Sequence, residues 1–241
     1  NDITGSSVYR DDTHAFEFRP GPIFTHFVLA DEINRASART QSAMLEAMQE
    51  LHVTYDGVQR DLPEPFIAFA TQNPIEQEGT YPLPLAQLDR FMFKVLVDYP
   101  PADEEQRVLR EHHATGGLSD PERMGVSSVV AAEDLISARQ IIRDTIVREE
   151  VIGYIQRMLQ ATRDDDLLSV GASPRSGLML LMGAKSLARF AGRDFVTPDD
   201  VKAALIPGLR HRVVLSPSAE LEGVTTDDVL TQLMESVEVP R

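Results

Sequence analysis

The sequence contains no cysteine, which excludes disulfide bonds and thiolate metal sites. It also has no apolar run long enough to cross a bilayer and no signal-peptide pattern, so we expect a cytoplasmic protein without membrane insertion. Basic residues are few: 23 Lys and Arg stand against 38 Asp and Glu, for a net charge of -15. That charge argues against indiscriminate binding to nucleic acid, although a local basic surface is compatible with it.

The first part of the chain, residues 1–99, has an α/β pattern. A length of 241 residues with 42% hydrophobic content suits one large domain or two smaller ones. The nearly continuous apolar runs FTHFVLA, PFIAFAT and RFMFKVLVDY predict three strands, and residues 37–51 have the apolar spacing of a helix. We therefore expect a parallel sheet that is buried on both faces.

Two hairpins are expected in the same region. Asp56-Gly57, at the centre of the run HVTYDGVQRDL, is a strong hairpin signal. The earlier run VYRDDTHAFEFRPGPI predicts a second, irregular hairpin.

The second part, residues 100–241, is predicted to be an all-helical domain. It begins at the Pro100-Pro101 break and contains several helical runs, such as ADEEQRVLREHH and VREEVIGYIQRMLQAT. Ser173-Pro174 and Thr197-Pro198 each place a hydroxyl at a helix cap and proline in the first helical position.

Two adjacent carboxylates, Asp31 and Glu32, follow the strand FVLA in the run FVLADEINRA. The carboxyl edge of a parallel sheet is where open α/β folds bind ligands. In nucleotide hydrolysis Asp31 suits a hydrated Mg²⁺ ion and Glu32 suits the polarisation of the attacking water. The alternative is that Asp31 caps the following turn and Glu32 is solvated.

Three further polar residues are candidates for phosphate chemistry. Asn73 follows the next strand and could orient a water, or it could only form the turn before Pro74. Arg90 comes just before the third predicted strand and suits a phosphate, or it could form a surface ion pair with Asp89 or another neighbour. Arg175 lies in the first turn of a helix, where the helix dipole disfavours a cation, so either an anionic ligand or solvent faces it.

Taken in order, the runs LADEINRA, ATQNPIEQEGTYPLPLAQLDRF and GASPRSG closely resemble the MoxR family of AAA+ ATPases, the branch related to magnesium-chelatase ATPase subunits. The resemblance covers nearly the whole chain. It implies an AAA+ P-loop-type core with a parallel sheet, followed by a helical lid.

The resemblance also implies roles for individual residues. Asp31 and Glu32 would be the Walker B carboxylates, with Asp31 as the metal ligand. Asn73 would be the sensor-1 residue, Arg90 the arginine finger, and Arg175 the sensor-2 residue that the lid carries over the same phosphate. ATP and Mg²⁺ are the implied cofactors.

The family pattern departs from this sequence at one point. No Walker A loop, G-x-x-x-x-G-K-[ST], is present, and the Gly183-Ala184-Lys185-Ser186 run is expected to be a packing feature inside a helix. We expect the sequence to be truncated, so that the first strand of the sheet, the P-loop helix and the next strand are missing.

The implied function is ATP hydrolysis by a ring, hexameric in the family, that remodels or activates partner proteins, some with a von Willebrand factor A domain. A non-catalytic scaffold that assembles without ATP turnover is the alternative. A nucleic-acid motor shares the same core, but the net charge and the lack of a DNA-binding element disfavour it.

Overall fold

The computed structural model describes residues 3–73, 81, 83–115 and 125–240. Most of the NPIEQEGTYPLP motif lies outside these described residues. The strands are β1 Gly5–Arg10, β2 Ala15–Pro20, β3 Phe27–Ala30, β4 His52–Tyr55, β5 Val58–Asp61, β6 Ile67–Ala70, β7 Leu168–Val170 and β8 Val214–Leu215. The helices are α1 Ala38–Glu50, α2 Leu85–Leu88, α3 Ala102–Thr115, α4 Ala132–Arg143, α5 Glu149–Asp164, α6 Pro174–Phe190, α7 Pro198–Leu209, α8 Pro217–Leu221 and α9 Thr226–Ser236, with a short 3-10 turn at Ile33–Arg35.

The strands β3 and β6 pair in parallel, which confirms the predicted sheet direction. Their side chains alternate between two faces, and Val28, Ala30, Ala68 and Ala70 lie on the face that packs against the apolar side of α1. Ser37 caps α1 by accepting a hydrogen bond from the Thr40 amide, so the helix starts where its spacing predicted.

The expectation of a sheet buried on both faces is wrong for the described residues. Phe27, Leu29 and Phe69 share the face opposite α1 and are 54%, 69% and 56% exposed. The continuous apolar pattern predicted a helix on each face, but within the described part of the chain only one face has a helix against it.

The third predicted strand is also absent from the described structure. Residues 93–100 have no strand assignment, and Val95, Val97 and Tyr99 are 73%, 90% and 94% exposed. Strand propensity alone does not form a strand, because the backbone needs a neighbour to complete its hydrogen bonds, and no ladder among the described residues includes this segment.

Both predicted hairpins are confirmed, and they contact each other. The β1–β2 pair and the β4–β5 pair are antiparallel, with Asp56 and Gly57 at positive φ in the second turn. The Ser7 amide donates to Tyr55 Oη at 3.3 Å, and the Arg60 guanidinium lies 3.8 Å from the centre of the Phe18 ring.

The largest hydrophobic core of the described residues lies among the C-terminal helices, which confirms a helical lid. The prediction that residues 100–241 are all-helical is wrong in one respect, because β7 and β8 form a short antiparallel pair in this region. Tyr154, Met158, Leu180, Leu205 and Leu230 are all at most 1% exposed. Ser173 and Thr197 cap α6 and α7 in capping boxes, each followed by proline, as the sequence predicted.

A short segment after α2 connects the sheet region to these helices. The Lys94 amide donates to Pro207 O at 2.9 Å, and the Phe93 ring packs so closely on Gly183 that a Cβ atom there would lie 2.8 Å from it. Gly183 is therefore a packing position inside α6, which confirms that the Gly183–Ser186 run is not a phosphate loop. The domain boundary predicted at residues 99 and 100 stays a prediction.

No described helix is both long and apolar enough to cross a membrane.

One buried histidine makes this junction sensitive to pH. His211 is 5% exposed, and its Nε2 lies 2.9 Å from Phe91 O, so the neutral ring donates there. Burial lowers the pKa of His211 from 6.5 to about 4. The hydrogen bond to Phe91 opposes this shift, and the positive charges of Arg212 and Lys94 add to it.

We predict that the free energy of unfolding falls as the pH drops from 6.5 toward 4. The unfolded chain protonates this histidine near 6.5 and the folded chain only near 4, so the stability from its neutral form is fully present above 6.5. The loss amounts to at most about 3 kcal/mol. Urea unfolding between about pH 7.5 and pH 5 should show about 2 kcal/mol of this loss. The variant His211→Gln keeps a side-chain N–H donor without titrating and should show a shallower fall; parallel pH curves would contradict the assignment.

Candidate nucleotide-hydrolysis site

The carboxyl ends of β3 and β6 bring the candidate residues of the sheet together. Asp31 and Glu32 follow β3 directly, while Asn73 lies three residues beyond the end of β6. Because the two strands are parallel and in register from Phe27 with Ile67 to Ala30 with Ala70, both ends meet at one sheet edge. The sequence-based expectation that these side chains share an edge agrees with this register.

Thr71 connects the two strand ends through its hydroxyl. Thr71 Oγ1 donates to Asp31 Oδ1 at 2.5 Å and accepts from the Glu32 amide at 2.8 Å. The backbone continues the contact, since the Thr71 amide donates to Ala30 O at 3.0 Å and the Ile33 amide donates to Thr71 O at 3.0 Å. One hydroxyl thus orients both acidic residues.

Glu32 has an uncommon backbone conformation. Its φ and ψ are both 50°, the left-handed region, which costs a non-glycine residue energy and is frequent at functional sites. Its carboxylate accepts from Arg35 Nη1 at 3.0 Å in an ion pair whose side chains are 36% and 53% exposed. A pair this exposed contributes little stability, so Glu32 can leave Arg35 at small cost when a ligand needs it.

Gln41, in α1, holds the loop that follows Glu32. It is 3% exposed, and its Nε2 lies 3.1 Å from Ile33 O, 3.3 Å from Ala36 O and 3.1 Å from Tyr81 O. The acidic pair is therefore anchored at the N-terminal end of α1.

Arg90 lies at the opposite end of the same helix. Its Nε donates to Gln49 Oε1 at 3.0 Å, near the C-terminus of α1. Gln41 and Gln49 are eight residues apart on the helix, which separates them by about 12 Å along its axis. The alternative of an ion pair between Arg90 and Asp89 is wrong, since Asp89 pairs with Arg212.

Arg175 lies in the exposed first turn of α6, two residues after the capping residue Ser173. Ser173 Oγ donates to Asp89 Oδ2 at 3.1 Å, which brings this turn against the segment that carries Arg90. Burial lowers the pKa of the Arg212 guanidinium, its hydrogen bond to Asp89 opposes that shift, and the positive charge of Arg175 lowers the pKa further.

The described residues contain no group of three or more His, Asp or Glu side chains arranged to hold a metal. A hydrated Mg²⁺ needs fewer protein ligands, because it keeps several waters and takes one or two carboxylates together with substrate phosphates. Asp31 fits that use: its carboxylate is exposed and Thr71 fixes its direction.

Two comparisons with protein families agree with this geometry. Residues 1–93 match the ATPase family associated with various cellular activities (AAA), and residues 160–233 match the AAA lid domain. The whole chain superposes on the crystal structure of a candidate ATPase from Cytophaga hutchinsonii with a TM-score of 0.89 and 36% identity, covering 74% of that chain. The fold is thus that of an AAA+ ATPase with its helical lid.

Comparison with curated proteins identifies the family within the AAA+ ATPases. The chain is 42% identical to the uncharacterized protein YeaC of Bacillus subtilis over its full length, covering 73% of that protein. It is 39% identical to the chaperone MoxR1 of Mycobacterium tuberculosis, again over its full length, and spans 64% of that relative. The chain belongs to the MoxR family of AAA+ ATPases.

The predicted residues fall into two groups in the structure. Asp31 and Glu32 follow β3 and Asn73 follows β6 at the same edge of the sheet, while Arg90 and Arg175 belong to two elements that meet at Asp89. Sequence reasoning missed Thr71 and Gln49. A hydroxyl directly after the strand, two residues before Asn73, was the available signal for Thr71, whereas nothing local marks Gln49 as the partner of Arg90.

We predict that Thr71→Val lowers ATP turnover about tenfold, because the Asp31 carboxylate and the Glu32 backbone amide lose the hydroxyl that positions them. Valine has nearly the same shape as threonine, so the change removes the hydroxyl and its hydrogen bonds while the side-chain volume stays nearly the same. Steady-state ATPase assays of the full-length protein measure the effect. Thr71→Ser keeps the hydroxyl and should retain most of the activity; equal losses in both variants would show that the hydroxyl is not the cause.

Proposed function

We propose that this chain hydrolyses ATP at the interface between neighbouring subunits of a ring. The supporting observation is the pair Asp31 and Glu32 at the carboxyl edge of the parallel strands, oriented by one hydroxyl of Thr71. A surface turn has no need for this arrangement, whereas phosphoryl transfer depends on positioned charge.

The two carboxylates have separate roles in the proposed reaction. Asp31 would hold a hydrated Mg²⁺, which would supply positive charge to the phosphates of the bound nucleotide. Glu32 polarises the attacking water after leaving Arg35, and Asn73 orients the same water. All three residues lie at one strand edge, which suits a single γ-phosphate.

Arg90 is proposed to act on the nucleotide of the adjacent subunit. Its contact with Gln49 holds it at the end of α1 remote from its own Glu32, about 12 Å along the helix from Gln41. From that position the arginine side chain is proposed to reach the nucleotide of the neighbouring subunit. There it would stabilise the negative charge that develops on the transferring phosphate. Arg175 is proposed to bind phosphate from the exposed start of α6.

The biological role we propose is remodelling or activation of partner proteins. MoxR1, the Mycobacterium tuberculosis relative, is named a chaperone. By this analogy the ring, a hexamer, acts on protein clients, including ones with a von Willebrand factor A domain, and not on nucleic acid. A cytoplasmic location remains a prediction from the sequence.

A non-catalytic scaffold, which would assemble and bind a partner without ATP turnover, is the competing function. The oriented Asp31 and Glu32 favour the enzyme, because a scaffold requires neither. The following prediction separates the two.

We predict that Glu32→Gln in the full-length protein lowers kcat at least about a hundredfold while leaving ATP binding within about threefold, because the amide cannot polarise water but keeps the side-chain shape. Turnover and the affinity for a fluorescent ATP analogue are the two measurements. Glu46→Gln, an exposed site on α1, is the matched control. Unchanged turnover in Glu32→Gln removes the catalytic assignment, and no turnover in the unaltered protein favours the scaffold.

We also predict complementation between two inactive variants. Rings of Arg90→Ala subunits lack the finger, and rings of Glu32→Gln subunits lack the base, but an interface between the two kinds can contain an intact Glu32 and an intact Arg90. Mixed rings should therefore recover part of the ATPase activity that each variant loses alone. Absence of recovery in rings that native mass measurements show to be mixed would argue against action between subunits.

A further inference from the structure

Asp89 joins two parts of the molecule through its two carboxylate oxygens. Oδ1 accepts from Arg212 Nε at 2.7 Å, and Oδ2 accepts from Ser173 Oγ at 3.1 Å. The Asp89 side chain is 18% exposed and that of Arg212 is 1% exposed, so the ion pair is largely withdrawn from water. Neither oxygen is directed to Arg90, the next residue in the chain.

Arg212 fixes the backbone around Arg90 at several points. Its Nη2 donates to Asp89 O at 3.0 Å and to Phe91 O at 2.6 Å, and its Nη1 donates to Met92 O at 3.0 Å and to Gly208 O. With the bond from Nε to Asp89, all five N–H groups of the guanidinium have acceptors. The carbonyls on both sides of Arg90 are thus bound to one buried cation.

Ser173 extends the same cluster to the helix that carries Arg175. Its Oγ accepts from the Ser176 amide as the N-cap of α6 while it donates to Asp89. Arg175 lies in the first turn, two residues after this capping residue. The path from Arg90 to Arg175 therefore contains only adjacent residues and the contact between Asp89 and Ser173.

A buried ion pair of this kind contributes little net stability, since removing both charges from water offsets most of their attraction. Its effect is to impose one geometry on the groups that it joins. Arg193 and Asp200 form a comparable pair at 2.5 Å, but that pair joins two neighbouring elements of the lid and has no contact with the Arg90 segment among the described residues. It provides a matched reference.

We infer that Asp89 is a positioning residue, which couples the arginine finger Arg90 to the start of α6 and hence to Arg175. This inference rests on the proposed ATPase function, because it explains the position of Arg90 by its role as the arginine finger. Asp89 does not touch nucleotide; it acts through the two arginines. If the lid rotates, the turn at residues 89–92 should rotate with it. The position of Arg90 relative to the neighbouring subunit would then change together with the lid.

The test uses two substitutions at Ser173 in the full-length protein. Ser173→Asp keeps a good N-cap acceptor for α6, but it cannot donate to Asp89 and repels it. Ser173→Thr keeps both the cap and the hydroxyl donor. We expect Ser173→Asp to lower kcat about tenfold and Ser173→Thr to stay within about twofold of the unaltered protein, with little change in KM for either.

A double mutant separates positioning from general destabilisation. If the contact acts through Arg90, Ser173→Asp combined with Arg90→Ala should be no slower than Arg90→Ala alone. Any loss from Asp200→Asn should instead multiply with the loss from Arg90→Ala, because its ion pair does not reach the finger. Multiplied losses for Ser173→Asp, or equal kcat in the two Ser173 variants, overturn the inference.

Amide hydrogen exchange of residues 89–94 distinguishes this inference from the proposed function. Faster exchange in Ser173→Asp than in Ser173→Thr supports the structural coupling, and equal exchange overturns it whatever the kinetics show. Faster exchange together with full activity of Arg90→Ala overturns the assigned roles: Arg90 is then not a finger, and Asp89 has no catalytic group to position.

Discussion

The guanidinium of Arg212 is the constraint on which the relation between the two halves of the molecule depends. It is 1% exposed and binds the carboxylate of Asp89 together with carbonyls from the turn after α2 and from the C-terminal part of α7. A buried cation that lost these acceptors would leave an uncompensated charge in a low-dielectric interior. The turn and the lid helices are therefore held in one arrangement, and Phe93 and His211 pack around it.

The sheet edge follows a different principle, because its acidic residues remain exposed. There Thr71 binds the Asp31 carboxylate and the Glu32 backbone amide, while the Glu32 carboxylate pairs with Arg35 at the surface. Contacts of this kind are weak enough to change when a ligand arrives, and the left-handed backbone at Glu32 is consistent with a site that accepts strain for positioning. The proposed ATPase function needs contacts that can change at the exposed sheet edge and rigid contacts around Arg212, and the two regions differ in this way.

Local sequence patterns predicted much of the fold because their causes are local. Ser173 and Thr197 cap their helices, Asp56-Gly57 turns its hairpin, and the strand that ends before Asp31 pairs in parallel as its apolar run indicated. The prediction failed for the run RFMFKVLVDY, residues 90–99, where β-prone side chains form no strand in the described structure. A strand depends on a partner, and partner choice is not encoded in the propensity of one segment.

The candidate site divides in the same way. The sequence by itself determined the chemistry: which residues carry carboxylate, amide or guanidinium groups, and which of them end a strand or start a helix. Only the tertiary structure decided which groups meet, so that Asp89 binds Arg212 over 123 positions of separation and Arg90 binds Gln49 instead of its neighbour. The physical reason is that a side chain's identity and its local backbone follow from nearby residues, whereas a hydrogen bond between distant residues exists only after packing has fixed both partners.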